Sequence, residues 1–201
     1  MEHRDLEANQ VQILDALRSH GIEGRSILDI GCGRGHLHPH LVEAGAASVV
    51  GIELNPTYLE HARACTEAAG LDDRISYLEG DFAALADQVD PADVTILDKS
   101  VHCYLDPEGL VRAAAGHTLS LCVITFPGDH WWFRWLLRSA AFVVRCLPEG
   151  WRPSWRVRFS RPDLLRSWLR DEGFVEVSHQ ETPIFITEAF VRTNGSESGS
   201  A

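Results

Sequence analysis

Lysine is almost missing from this chain: Lys99 is the only one among 201 residues, and the other basic side chains are arginine. Acidic residues outnumber basic ones 29 to 18, a formal charge of −11. That charge opposes a phosphate backbone and argues against nucleic acid as a partner. Cysteine stands at 32, 65, 103, 122 and 146, an odd set with no Cys-x-x-Cys pair, so neither a disulfide framework nor a zinc ribbon is expected. Reduced thiols and a cytoplasmic location follow as expectations. No run reaches the roughly 18 uninterrupted apolar residues of a membrane span, so no stable membrane insertion is expected. The first twenty residues lack the basic start and apolar run of a secretory signal. Internal repeats are lacking too.

What is present is an ordinary globular composition, 45% hydrophobic and 23% charged, with enough chain to bury a full core. A single domain over 1–193 is expected, followed by a flexible Gly/Ser tail at 194–201. Apolar residues at Leu6, Ile13, Leu14 and Leu17 predict an N-terminal helix within 1–20. Apolar runs then predict strands at 26–30, 49–53, 75–79, 94–98 and 119–125, alternating with helices near 36–43, 57–69 and 107–116. That alternation implies a mostly parallel sheet covered on both faces. A helix over 162–172 and strands over 175–179 and 184–191 follow. The short turn at Thr182 and Pro183 leaves no room for a crossover, so these last two strands pair antiparallel. The fold class is α/β: a Rossmann-like, seven-stranded, mostly parallel sheet with a final antiparallel strand.

Residues 126–160 interrupt the alternation and predict a helical cap inserted after the fifth strand. Trp131, Trp132, Phe133 and Trp135 cluster at its start. Between Arg134 and Arg170, nine arginines face two acids, Glu149 and Asp163, so this stretch is +7 while the rest is −18. Aromatic walls with arginines suit a planar or acidic ligand, which makes Trp131, Trp132, Arg134 and Trp135 candidate substrate-binding residues. A helix lying on anionic lipid and a packed lid with solvated arginines are the other readings.

The richest segment is Ile27-Leu28-Asp29-Ile30-Gly31-Cys32-Gly33-Arg34-Gly35-His36, a strand running into three alternate glycines and then a helix. Glycine lets the backbone turn sharply and approach a ligand closely. A dinucleotide fingerprint would need Gly-x-Gly-x-x-Gly, but position 36 is His and the third glycine comes one residue early. Asp29, just before the loop, would repel a pyrophosphate and suits a ligand carrying positive charge. Glu53 ends the second strand, 22 residues after Gly31, where a carboxylate can accept from both hydroxyls of a ribose. Asp81 and Phe82 follow the third strand; a helix N-cap is the structural alternative for Asp81.

On these residues the chain resembles the class I S-adenosylmethionine-dependent methyltransferases, from 26 to 193. The resemblance implies S-adenosyl-L-methionine as cofactor, held by Asp29, Gly31, Cys32, Gly33, Gly35, Glu53, Leu54, Asp81, Phe82 and Asp98. Its fourth strand leads into Asp98-Lys99-Ser100-Val101-His102-Cys103-Tyr104, where His102 is a candidate general base and Tyr104 a candidate for orienting the substrate. His130, beside the tryptophans, is the second candidate base. An ion pair between Asp98 and Lys99 is the bland reading of those two. The order Asp98-x-x-x-His102-Cys103-Tyr104, then Phe126-Pro127-x-Asp129-x-Trp131-Trp132, is more distantly similar to magnesium-protoporphyrin methyltransferases. The Asn/Asp-Pro-Pro-Tyr/Phe motif of amino-group methyltransferases acting on nucleic-acid bases is absent. His36, His38 and His40 carry no metal expectation, because Pro39 divides them and no acid or cysteine completes a ligand set.

The function expected is methyl transfer to oxygen, nitrogen or sulfur of a small, aromatic or acidic metabolite by a monomer or homodimer. The alternatives are a non-catalytic S-adenosylmethionine-binding sensor or partner subunit and, further off, an NAD(P)-dependent oxidoreductase.

Overall fold

A computed structural model describes residues 6–128 and 161–193. The predicted cap, with His130, Trp131, Trp132, Arg134 and Trp135, lies outside the described residues, as does the 194–201 tail. Helix α1 (Ala8–Ser19) opens with a capping box in which Glu7 and Gln10 satisfy each other's backbone N–H groups, inside the predicted span of 1–20. Strand β1 (Ser26–Ile30), helix α2 (His38–Glu43) and strand β2 (Ser48–Glu53) follow. Helix α3 (Pro56–Ala69) is framed by Asn55, whose side chain accepts from Thr57 N at 3.0 Å, and by Gly70 in the left-handed region. These are the residue types that helix ends prefer.

Strand β3 (Ile75–Glu79) leads into a short helix, α4 (Phe82–Leu85), which the sequence reading left out. Four residues are too few to show a helical period. Strand β4 (Ala92–Asp98), helix α5 (Pro107–Gly116) and strand β5 (Thr118–Pro127) complete the alternation. Asp106 caps α5 by accepting from Gly109 N at 3.1 Å. Helix α6 (Pro162–Asp171) and strands β6 (Phe174–Glu181) and β7 (Phe185–Arg192) end the described chain.

The seven strands form one sheet in the order β3-β2-β1-β4-β5-β7-β6. Neighbours from β3 to β5 are parallel, and β7 runs antiparallel to both β5 and β6. The predicted hairpin is therefore present, and β7 is the single antiparallel strand among the described residues. Pairing with β7 extends β5 to Pro127, opposite Phe185, two residues past the predicted end.

Alternation along β1 divides the core. Leu28 and Ile30 pack with Phe82, Leu110, Val111, Leu165 and Leu169 beneath α4, α5 and α6. Ile27 packs on the other face with Ile13, Leu14, Leu17, Leu37 and Leu41 of the α1 and α2 side. Each fully buried leucine contributes about 1.5–3 kcal/mol by leaving water. Chain order reverses between β1 and β4, so the carboxyl ends of the parallel strands open a crevice there, the place where open α/β sheets bind ligands. Among the described residues no helix is long and apolar enough to cross a membrane.

Candidate functional site

The loop from β1 to α2 holds three glycines with positive φ, +80° at Gly31, +57° at Gly33 and +68° at Gly35. The space around them differs. A Cβ on Gly31 would stand 2.7 Å from Ser100 Cβ, so this glycine lets the end of β4 close against the loop. A Cβ on Gly35 would meet Tyr77 Oη at 2.8 Å and Ala62 Cβ at 3.0 Å. Gly33 faces open space, with nothing within 4 Å of its virtual Cβ. One glycine of the three thus bares its backbone to a ligand, and the other two admit neighbouring side chains. Gly31 N and Cys32 N both donate to Ile52 O, at 2.8 and 3.1 Å, which binds the turn to β2.

Gly33 lines a cavity of about 400 Å³, within the ~300–1,000 Å³ typical of small-molecule sites. Gly31, Glu53, Leu54, Asp81, Phe82, Asp98 and Tyr104 line it as well. Asp29, Cys32, Gly35 and His102 are not among the lining residues. Tyr58, Lys99, Ser100, Cys103 and Leu110 are lining residues to which the sequence reading assigned no binding role.

Two acids on the cavity wall are already half-engaged. Glu53 accepts from Gly33 N through Oε2 at 2.9 Å and from Asn55 N through Oε1 at 2.8 Å. A carboxylate has about four acceptor sites, so lone pairs remain for two more donors. Asp81 is the N-cap of α4: its Oδ1 accepts from Ala83 N at 3.1 Å and also from the Tyr104 hydroxyl. Burial, and next the hydrogen bond to Asp81, push the Tyr104 phenol up to about 12. Phe82 is buried beside them, 2% exposed, with His117 edge-on to its ring.

At the end of β4, burial pushes the Asp98 carboxyl up to about 6, and Lys99 counters part of that rise. The two do not form the ion pair that was the bland reading of them. Lys99 adopts φ +55° and turns its ammonium to Glu7 Oε2 at 2.6 Å, 5.5 Å from the centroid of the Phe185 ring. Asp98 Oδ1 instead accepts from Asn9 Nδ2 at 2.8 Å. The first turn of α1 thus closes this side of the site, a contribution that residues 89 positions apart do not announce.

His102 sits on a 3-10 turn (Val101–Cys103). Burial, then the Lys99 charge, hold its imidazole below the ordinary value. Its Nδ1 and Ser100 Oγ are buried without a hydrogen-bond partner among the described residues.

Asp29 is 2% exposed. Its Oδ2 lies 3.0 Å from His38 Nε2, while its Oδ1 is buried and has no partner among the described residues. The Cys32 thiol is raised well above the ordinary range by burial, and next by the Asp29 and Glu53 charges. Of the three histidines around Pro39, His36 lies with its ring tilted 39° to that of His61, His38 is buried and His40 lies 3.8 Å from Glu43. The His/Cys/Asp/Glu group close enough to share an ion, among the described residues, is Glu176, His179 and Glu188 on β6 and β7. Arg166 already pairs with Glu188 there.

Comparison with known proteins bears on this geometry. Residues 27–118 match the family described as "Methyltransferase domain". The chain is 32% identical over 167 residues to a ubiquinone biosynthesis O-methyltransferase of Alkalilimnicola ehrlichii, covering 77% of this chain and 62% of the relative. A protein of the same name from Xylella fastidiosa is 34% identical over 158 residues, covering 76% and 61%. The chain thus spans about three fifths of the length of these curated relatives. Among solved structures, magnesium protoporphyrin IX methyltransferase of Synechocystis with bound S-adenosylhomocysteine superposes with a TM-score of 0.75 at 18% identity, over 94% of this chain and 86% of that one. The [4+2]-cyclase SpnF superposes with a TM-score of 0.71 at 15% identity, over 94% and 82%.

Proposed function

Residues 27–118 match a methyltransferase domain, and on that premise we propose that the chain is a class I S-adenosylmethionine-dependent methyltransferase that transfers a methyl group to an oxygen of a small metabolite. The observation that carries the reading is one cavity walled by the open backbone of Gly33 and by Glu53 and Asp81, each carboxylate with acceptor capacity to spare.

These residues fit the cofactor. Glu53 would accept from the ribose hydroxyls and Asp81 from the adenine amino group, with Phe82 against the ring. The unpartnered Asp29 Oδ1 supplies negative charge for the methionine ammonium. Bound there, S-adenosylmethionine supplies an activated methyl on a positively charged sulfur. The chain's own task is alignment and exclusion of water. Ser100, Cys103 and Tyr104 face the same space. His102, next to the cavity-lining Ser100 and Cys103 and with its imidazole kept below the ordinary value by burial, would accept the proton of a hydroxyl acceptor through one water.

The acceptor class rests on the names of the relatives, both of them O-methyltransferases. An aromatic or acidic substrate rests on the tryptophan and arginine content of 126–160; His130, Trp131, Trp132, Arg134 and Trp135 keep their proposed roles.

Calorimetry with S-adenosylmethionine and S-adenosylhomocysteine, followed by a methyl-transfer assay on small phenols and aromatic carboxylates, tests the reading. Binding of both and turnover of a phenol or carboxylate are expected. Binding without transfer to any acceptor would favour a cofactor-holding protein with another role, a reading supported by a fold neighbour named as a cyclase. Absence of binding, with enhanced fluorescence of a reduced nicotinamide, would replace the proposal with an oxidoreductase.

A further inference from the structure

Asp29, Gly51 and Tyr77 stand in one row across β1, β2 and β3, since Asp29 pairs with Gly51 and Gly51 with Tyr77. In a parallel sheet such a row points to one face, and the middle member has no side chain. The space it leaves is filled from α2 by His38, which is fully buried. Its Nε2 lies 3.0 Å from Asp29 Oδ2 and its Nδ1 3.0 Å from Tyr77 Oη, and Tyr77 Oη lies 2.8 Å from Thr66 Oγ1. The fit is close on both sides. A Cβ at Gly51 would stand 2.7 Å from His38 Cε1 and 2.9 Å from Tyr77 Cδ1, and one at Gly35 3.3 Å from His38 Nδ1.

The hydrogen-bond order is constrained. For an uncharged ring, the Nε2–H donates to Asp29, Nδ1 then accepts from the Tyr77 hydroxyl, and that hydroxyl's oxygen is left to accept from Thr66. In the reversed order of an uncharged ring, the bare Nε2 lone pair would face a carboxylate oxygen, two acceptors 3.0 Å apart.

We propose that His38 is a positioning residue for ligand binding: it holds one oxygen of Asp29, so that the other oxygen, buried and without a partner among the described residues, is reserved for a cationic group at the glycine loop. Tyr77 and Thr66 fix the ring's tautomer and plane. The inference rests on the cofactor reading above, because the group it serves is the ammonium of the methionine moiety. Nothing in it requires His38 to touch the ligand; it acts through Asp29.

The test is a pair of ligands that differ in that moiety. S-adenosylhomocysteine carries the amino-acid ammonium, and 5′-methylthioadenosine keeps only the nucleoside and thioether. Calorimetry on His38→Leu is expected to show affinity for the first reduced about tenfold, the worth of a hydrogen bond to a charged group. Affinity for the second should stay within about twofold. His38→Gln, whose amide N–H can replace the Nε2 donor, should recover most of the loss. Tyr77→Phe, which removes one hydroxyl, should cost about threefold with S-adenosylhomocysteine alone.

Equal losses for both ligands, no loss for either, or failure of Gln to rescue would overturn the proposal and leave His38 a core residue. Should His38→Leu not fold, Tyr77→Phe carries the same comparison, and unchanged binding of both ligands by that variant overturns it. If the wild type binds neither compound, the cofactor reading fails first and this inference falls with it.

Discussion

Asn9 donates its side-chain amide to Asp98 Oδ1 at 2.8 Å, joining the first turn of α1 to the end of β4. The bond spans 89 positions of chain and brings the N-terminal helix against a wall of the cavity.

Asp98 makes a pH prediction. Its carboxyl is pushed from 3.8 up to about 6. In that window the folded chain keeps a proton that the unfolded chain has released, so stability falls as pH rises through it. Above the window the fold carries a buried carboxylate at a cost. Asp98→Asn should therefore be more stable than the parent at pH 7 by roughly 3 kcal/mol, and the gain should vanish by about pH 3. Urea unfolding at both pH values measures it; an equal effect at both would rule out a titrating Asp98.

Glu53 ties the loop to the site through Gly33 N at 2.9 Å. Glu53→Gln should leave the fold intact while weakening S-adenosylhomocysteine about tenfold, because one charged acceptor becomes a donor. Calorimetry beside a thermal melt separates the two effects, and unchanged affinity would remove Glu53 from the site.

Glycine substitutions should differ by position. Gly51→Ala forces a methyl within 3 Å of His38, Cys32 and Tyr77, an overpacking cost of about 2 kcal/mol. Gly33→Ala has open space but φ +57°, so backbone strain of about 1 kcal/mol is all the fold should lose, while the new methyl enters the cavity and reduces ligand affinity. Melts that rank the two the other way would contradict this assignment of roles.

Glu188 has a fully buried side chain, paired with Arg166 and 2.8 Å from His179 Nδ1. Arg166→Leu removes the guanidinium and leaves His179 as the remaining partner of that charge, and should cost about 3 kcal/mol. Adding Glu188→Leu should restore most of the loss, since an apolar pair of similar volume replaces an ion pair well. Chemical denaturation of the single and double variants decides it; a double variant no better than the single one would mean that the pair is not the source.

Much of the fold was legible locally. The strands at 26–30 and 75–79 and the helix at 107–116 coincide with their predicted spans, since apolar runs and Pro or Asp at helix starts are short-range signals. The site was legible where strand ends meet in sequence order: Gly31, Gly33, Glu53, Asp81 and Asp98 all reach one cavity. His38 was read only as one of three histidines around Pro39 that carry no metal expectation. The signal that points to its role is Gly51, a glycine inside an apolar strand, which marks a close approach.

By itself, the sequence determined the strand–loop–helix order, the positive-φ loop and the acids at successive strand ends, because each depends on residues a few positions apart. Only the tertiary structure decided that Gly35 and Gly51 make room for His38 and Tyr77, that Lys99 pairs with Glu7, and that Asn9 holds Asp98. The reason is geometric: those contacts arise from strand register and from helices laid across the sheet, which no local periodicity encodes.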